Sequence, residues 1–74
     1  MPDEFSPVYG SSNVDGIKYD PETRECRVRF RGGSTYVYYD VDQGEYDQFF
    51  HAPSKGRFVN QILRRSHRYQ REHD

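Results

Sequence analysis

The sequence predicts an α+β fold, in which a three-stranded antiparallel meander is followed by two helices packed on one face of the sheet. Three observations lead to this prediction. Apolar and polar residues alternate over residues 25–31, as in a half-buried strand, and a spacing of three and four residues replaces this alternation after Asp42. The chain has only 74 residues, 32 % of them hydrophobic, so we expect one domain whose thin core depends on aromatic rings.

The predicted strands are separated by two tight turns. The first covers residues 20–23 (Asp-Pro-Glu-Thr), because proline presets φ at the second position of a turn. The second contains the two glycines at residues 32–33 and joins two strands into a hairpin. Before it, Cys26, Val28 and Phe30 alternate with arginines, which is the clearest strand pattern in the chain. The three strands are predicted over residues 14–19, 25–31 and 35–39.

Two helices are predicted in the second half of the chain. Asp42 and Glu45 have the spacing of a helix-capping pair, and the first helix ends at Ala52, before a proline. Ser54 is the predicted N-cap of the second helix. That helix carries an apolar stripe, which Tyr69 joins if the helix extends so far. The stripe consists of Phe58, Val59, Ile62 and Leu63.

The domain organisation follows from these elements. We predict a flexible N-terminal arm over residues 1–11, the folded domain over residues 12–69 and a C-terminal tail over residues 70–74. With a single cysteine, no signal-like leader and no long apolar run, the chain is expected to be cytoplasmic, without a disulfide or a membrane span.

Charge is distributed unevenly along the chain. Residues 1–25 hold six acidic and two basic side chains, a net charge of −4, whereas residues 55–74 hold six basic and two acidic ones, a net charge of +4. Such an asymmetry favours an anionic partner.

A set of residues spread over most of the chain forms a recognisable pattern. The set comprises Ile17-Lys18-Tyr19-Asp20, Val28-x-Phe30, Tyr36-x-Tyr38, Val41, Tyr46 and Ala52-Pro53-Ser54-Lys55-Gly56-Arg57-Phe58-x-Asn60. Over residues 12–69 this pattern resembles the KTSC domain family, which is named for a C-terminal extension of some lysyl-tRNA synthetases and also occurs as free-standing small proteins. The resemblance implies a nucleic-acid-associated module with RNA binding and no enzymatic activity.

The first candidate site is the start of the second helix, formed by Ser54, Lys55, Gly56 and Arg57. A helix N-terminus offers unpaired backbone N–H groups to a phosphate, and two cations in the first turn oppose the helix dipole. The alternative, which we favour, is that Ser54 simply caps the helix and Gly56 admits a ring from the first helix.

The second candidate is a basic face on the same helix. At about 100° per residue, several arginines project from the side opposite the apolar stripe, and arginine is well suited to binding phosphate. The alternative is an ordinary solvated outer face. The arginines are Arg57, Arg64, Arg68 and Arg71, with Arg65 at the margin.

The third candidate is the hairpin face that carries Arg27, Arg29 and Arg31, and its nature depends on the register. A two-residue loop places Tyr36 and Tyr38 beside the arginines, as a platform for stacking single-stranded bases. A three-residue loop reverses the orientation: both tyrosines join the core, while Val37 and Tyr39 lie outside. We favour the second register, because the core needs rings.

No pattern indicates catalysis or metal binding. His51, His67 and His73 lack zinc-ligand spacing, and Cys26 is predicted to be a buried, unreactive thiol. We therefore expect no enzyme, no metal and no cofactor. The acidic side chains near the start of the first helix are expected to favour its dipole. They are Asp40, Asp42, Glu45 and Asp47.

Two functional hypotheses follow. The first is a non-enzymatic accessory module that binds RNA or single-stranded DNA, with phosphate contacts that would give a slope of log affinity against log salt of roughly −3 to −5. The second is protein interaction, either self-association through the oppositely charged ends or binding to an acidic protein. The predicted phosphate contacts come from Lys55, Arg57, Arg64, Arg68 and Arg71.

Overall fold

The computed structural model describes residues 5–11 and 13–72 and confirms the α+β class. Within these residues the sheet has five antiparallel strands in the order β1-β2-β3-β4-β5, so the prediction of a three-stranded meander was wrong. Residues 1–4, 12 and 73–74, which belong to the predicted arm, domain start and tail, lie outside the described part. The strands are β1 (Ser6–Pro7), β2 (Val14–Asp20), β3 (Glu25–Phe30), β4 (Thr35–Tyr38) and β5 (Tyr69–Glu72).

The two additional strands form the edges of the sheet. β1 falls in the predicted flexible arm, but Ser6 and Pro7 pair with β2, and the following Val8 is only 8 % exposed. β5 falls in the predicted end of the second helix and the tail, where it pairs with β4 along its whole length. The chain reaches β5 because His67 has extended backbone angles (φ −132°, ψ 149°), which end the helix at Ser66.

The β3–β4 hairpin has the three-residue loop that we favoured. Phe30 N–H donates to the Ser34 carbonyl, and Gly33 adopts a positive φ of 96°, which favours glycine. Tyr36 consequently pairs with Val28, and Tyr38 with Cys26, on the face that packs against the helices. Val37 lies on the opposite face, as this register predicts, but it is only 3 % exposed.

The first helix, α1 (Gln43–His51), begins and ends as its sequence predicts. The Asp42 side chain accepts a hydrogen bond of 2.8 Å from the Glu45 backbone N–H, and Ala52 closes the C-terminus. Phe49 is fully buried, Tyr46 is half-buried and Phe50 is 46 % exposed, so one side of the helix faces the core.

The second helix, α2, is continuous but changes its winding. It consists of α-helical Lys55–Phe58, π-helical Val59–Leu63 and α-helical Arg64–Ser66. A π-turn holds more residues than an α-turn, so a projection at 100° per residue fails beyond it. Val59 and Leu63 are buried as predicted, whereas Ile62 is 37 % exposed.

The core lies between the helices and one face of the sheet. It is built from aliphatic side chains together with Tyr38 and Phe49, and further rings pack around it. Among the described residues, no helix is long and apolar enough to cross a membrane. The core residues are Val8, Val14, Ile17, Cys26, Val28, Tyr38, Val41, Phe49, Val59 and Leu63, and the surrounding rings are Tyr19, Phe30, Tyr36, Tyr46 and Phe58.

Candidate functional site

The hairpin arginines lie on the outer face of the sheet, where acidic groups of the protein itself pair with two of them. Arg27 Nε donates to both carboxylate oxygens of Glu72, at 3.1 and 3.0 Å. Nη1 of the same side chain lies 3.1 Å from the Glu25 carboxylate oxygen Oε1. Because Glu72 belongs to β5, this pairing joins strands on either side of β4. The charge of Arg27 is therefore neutralised within the protein. The prediction that Arg27 belongs to an open phosphate-binding face was wrong.

The other two hairpin arginines are also engaged. Arg29 Nε lies 3.4 Å from an Asp15 carboxylate oxygen, and its guanidinium carbon lies 4.8 Å from the centre of the Phe5 ring. Arg31 Nε donates to the Ser11 carbonyl at 3.0 Å. With Tyr36 and Tyr38 on the opposite face, as the favoured register predicts, the alternative platform of rings and arginines on the outer face does not exist.

The start of α2 has a structural role. Lys55 Nζ donates to the carbonyls of Phe50 and Ala52, at 2.7 and 2.9 Å, and so caps the end of α1. A Cβ on the buried Gly56 would lie 3.2 Å from the Asn13 side chain, so the close neighbour is a loop residue and not the predicted ring. Ser54 accepts from the Arg57 N–H at 3.4 Å, which confirms its capping role.

The predicted basic helix face is dispersed, because α2 ends before two of its members. Arg68 lies over the Tyr39 ring, with 5.9 Å between its guanidinium carbon and the ring centre. Arg71 belongs to β5 and pairs with Tyr36, whose side chain lies on the inner face. Arg57 lines a groove at the other end of α2, and Arg65 is exposed on the helix.

Arg64 lines a feature that the sequence did not predict, a cleft of about 240 Å³ between α2 and the β3–β4–β5 edge of the sheet. We call it the aromatic cleft. Tyr69 lies 5.4 Å from Tyr38 and 6.1 Å from Tyr36, and Phe30 meets Tyr36 edge to face at 5.7 Å, all measured between ring centres. The lining residues are Phe30, Tyr36, Tyr38, Val59, Asn60, Arg64 and Tyr69.

Charge at the aromatic cleft is positive. A hydrogen bond to Tyr69 raises the pKa of Arg64, whose guanidinium stands in the cleft wall. Arg71 is the cross-strand neighbour of Tyr36 on the same sheet face, and such neighbours have Cβ atoms about 5 Å apart. Within the described residues, neither arginine forms a salt bridge with a carboxylate.

The tyrosines differ in their accessibility. Burial, followed by the neighbouring Tyr69 and Tyr36, raises the pKa of Tyr38 to about 12, and this residue is only 3 % exposed. It forms the bottom of the cleft and, as the favoured register predicts, is not an open stacking ring. Tyr36 is half-buried, and Tyr69 is 41 % exposed and offers the accessible ring. Tyr39 lies on the outer face, where its hydroxyl donates to Gln70.

The described residues contain no group of three His, Cys, Asp or Glu side chains arranged to hold a metal ion. Cys26 is fully buried, as predicted, and burial raises the pKa of its thiol to about 12. His67 is a structural residue, since both ring nitrogens lie 2.8 Å from acceptors, the Tyr39 carbonyl and the Glu45 carboxylate.

Sequence reasoning missed Tyr69, Phe30 and Asn60 as members of the site. Tyr69 was assigned to the helix stripe, and Phe30 to the core alone. The one available signal was the alternation of Tyr69 and Arg71, which is typical of a short strand.

Comparison with known proteins agrees with the fold and the motif. The family model of the KTSC domain matches residues 10–69. A crystal structure of a KTSC domain protein from Yersinia pestis superposes with a TM-score of 0.85 at 32 % identity, over 95 % of this chain and 97 % of that one.

Sequence relatives occur both as small proteins and within a larger enzyme. A protein of Tsukamurella paurometabola is 43 % identical over 73 % of this chain and 81 % of its own length. A lysine–tRNA ligase of Nostoc sp. is 27 % identical over 80 % of this chain, which corresponds to 10 % of the ligase. Because the family model covers most of the residues and the fold is shared, this chain belongs to the KTSC domain family.

Proposed function

We propose that this protein is a non-enzymatic module that binds single-stranded RNA or DNA at the aromatic cleft. The observation that supports the proposal is the position of Arg64 and Arg71 beside accessible rings. Planar bases stack on aromatic side chains, and guanidinium groups bind the phosphates that connect the bases.

The rings provide the first part of the interaction. Tyr69 offers the most accessible face, and the half-buried Tyr36 lies beside it. Stacking of one base on such a ring contributes about 1–3 kcal/mol and depends little on base identity. A base can reach these rings only when it is unpaired, so we expect single strands to bind more tightly than duplexes.

The arginines provide the second part. Arg64 lines the cleft and Arg71 is the cross-strand neighbour of Tyr36. Arg57, Arg65 and Arg68 lie elsewhere on the helix or on the outer face and contribute at most to long-range attraction. Two phosphate contacts on a single strand correspond to a slope of log affinity against log salt of about −1.4. This dependence on salt is weaker than the slope of roughly −3 to −5 expected from the sequence alone.

Two further observations support this function. The Nostoc relative is named as a lysine–tRNA ligase, an enzyme that acts on RNA, and part of it resembles this chain. A single buried thiol is also compatible with the reducing cytoplasm, where we propose that the protein acts.

Fluorescence anisotropy tests the proposal. Labelled single-stranded RNA and DNA oligomers of mixed sequence are titrated at two salt concentrations with the native protein and with Arg64→Gln, Arg71→Gln and the double variant. Arg57→Gln is the matched control, because it removes the same charge from the same helix away from the cleft. We expect each cleft variant to weaken binding about fivefold and the control to have little effect.

Two results would contradict the proposal: absence of salt-sensitive binding at the lower salt concentration, or equal losses in the control and the cleft variants.

Self-association is a second candidate function, favoured by the oppositely charged ends of the chain and by the edge position of β5. An edge strand offers unpaired backbone groups to another copy. Light scattering at increasing salt tests this function. A dimer that dissociates as salt rises supports it, and a monomer at every concentration and salt level contradicts it.

A further inference from the structure

The aromatic cleft concentrates hydrogen-bond donors as well as rings. Arg64, Tyr69, Tyr38 and Tyr36 all line this space, and the neighbouring Tyr69 raises the pKa of the Arg64 guanidinium. The Asn60 side chain lines the same space. Three tyrosines, an asparagine and an arginine therefore border one small volume.

Two of these donors have no protein acceptor among the described residues. The hydroxyls of Tyr36 and Tyr38 make no hydrogen bond there, whereas those of Tyr19 and Tyr39 donate to Val41 and Gln70. Tyr38 as a whole is only 3 % exposed, but its hydroxyl is not a fully buried atom, so it borders the open cleft. The space beside it is therefore suited to an acceptor group brought by a ligand.

Among nucleic-acid groups, a phosphate monoester is the ligand that best suits these hydrogen-bond donors. A terminal phosphate carries about −1.5 to −2 charges and three strong acceptor oxygens. An internal phosphodiester carries one charge and two free oxygens, so it satisfies fewer of the converging donors. The cleft volume of about 240 Å³ also lies below the usual range of small-molecule sites, which favours one terminal group over a run of nucleotides.

We propose that the cleft binds the phosphorylated end of a single-stranded nucleic acid, with the phosphate held by Arg64 and the tyrosine hydroxyls and the terminal base stacked on Tyr69. This inference rests on the proposed function and assigns the part of the ligand that enters the cleft. The next phosphate along the strand then lies on the side of Arg71.

The test compares three oligomers of one sequence with an internal fluorophore: one with a 5′-phosphate, one with a 3′-phosphate and one with hydroxyls at both ends. We expect one phosphorylated oligomer to bind about tenfold more tightly than the hydroxyl-ended one. Tyr38→Phe removes a hydroxyl and keeps the ring, so we expect it to reduce this preference about threefold.

Tyr39→Phe is the matched control, because it removes a hydroxyl on the outer face and alters neither affinity. Arg64→Lys, at an exposed position on α2, is a second variant: it keeps the charge but loses the planar guanidinium, and it also reduces the preference. Thermal unfolding of each variant verifies that it is folded at the assay temperature.

The outcomes separate the two proposals. Equal affinity for all three oligomers, with binding still dependent on Arg64, overturns the terminal-phosphate inference and leaves the proposed function intact. An end preference that neither Tyr38→Phe nor Arg64→Lys reduces also overturns the inference. Absence of binding to any oligomer overturns the proposed function itself.

Discussion

The His67 imidazole joins two parts of the chain that are distant in sequence, since its Nε2 lies 2.8 Å from the Glu45 carboxylate on α1. Its Nδ1 lies 2.8 Å from the Tyr39 carbonyl at the end of β4, and the side chain is only 9 % exposed. Glu45 thus binds the residue between α2 and β5. This contact fixes the direction in which the chain enters β5, the strand that carries Tyr69 and Arg71.

Replacement of His67 by alanine is expected to lower the free energy of unfolding by about 2 kcal/mol, because it leaves a carboxylate and a carbonyl without their hydrogen-bond partner. Urea denaturation measures the effect. His51→Ala is the control, since that imidazole is exposed and contacts only the Asp47 carbonyl of its own helix. Equal losses for the two variants would show that the contact with Glu45 contributes nothing specific.

The two helix caps are expected to contribute unequally. Asp42 accepts from Glu45 N–H at 2.8 Å, whereas Ser54 accepts from Arg57 N–H at 3.4 Å. Asp42→Ala should therefore destabilise the protein by about 1 kcal/mol and Ser54→Ala by less. Thermal unfolding of both variants under the same conditions tests the order, and a larger loss for the serine variant would contradict it.

Lys55→Met tests whether Lys55 stabilises the fold without contributing to oligonucleotide binding. The variant keeps the apolar stem but loses the donors that cap the end of α1, so we expect a loss of about 1 kcal/mol in stability. The salt slope of oligonucleotide binding should remain unchanged. Arg64→Gln should show the opposite pattern, with weaker binding and nearly native stability, and a reduced salt slope for Lys55→Met would refute this division.

Stability is expected to fall at high pH. Burial, with a smaller effect of Glu45, raises the pKa of the Cys26 thiol from its ordinary value of 9.0 to about 12. Only the unfolded chain loses this proton between pH 9 and 12, so unfolding is favoured there by about 1.4 kcal/mol per pH unit. Burial raises the pKa values of Tyr38 and Tyr46 from 10.0 to about 12, which adds to the loss above pH 10.

Urea denaturation at pH 8, 9 and 10 measures this dependence. Cys26→Ala should be less stable at pH 8, because it leaves a small cavity, but its stability should decline less between pH 9 and 10. An equally steep decline in the variant would show that the thiol does not cause the pH dependence.

The local features of the fold were predictable from the sequence. Alternation placed Cys26 and Val28 in the core, and the side chains of Asp42 and Ser54 marked the starts of both helices. These features depend on residues a few positions apart, so the sequence pattern contains them directly.

The aromatic cleft was not predictable in the same way. It exists because β5 pairs with β4, more than thirty residues earlier in the chain, and because α2 places Arg64 in the same cleft as Tyr69. The sequence projected Arg64 and Arg71 from one helix, whereas the fold brings them together from a helix and a strand. The neutralisation of Arg27 by Glu72 was unpredictable for the same reason, because Glu72 reaches Arg27 only when β5 pairs with β4.

The positions of the two edge strands determine how the protein can be attached to other molecules. Ser6 and Glu72 lie four strand spacings apart, or about 19 Å, on opposite borders of the sheet. β1 lies at the border of the sheet away from the cleft, whereas β5 contributes Tyr69 to the cleft wall. Immobilisation through the leading end therefore leaves the ligand's path open, and immobilisation through the trailing end obstructs it.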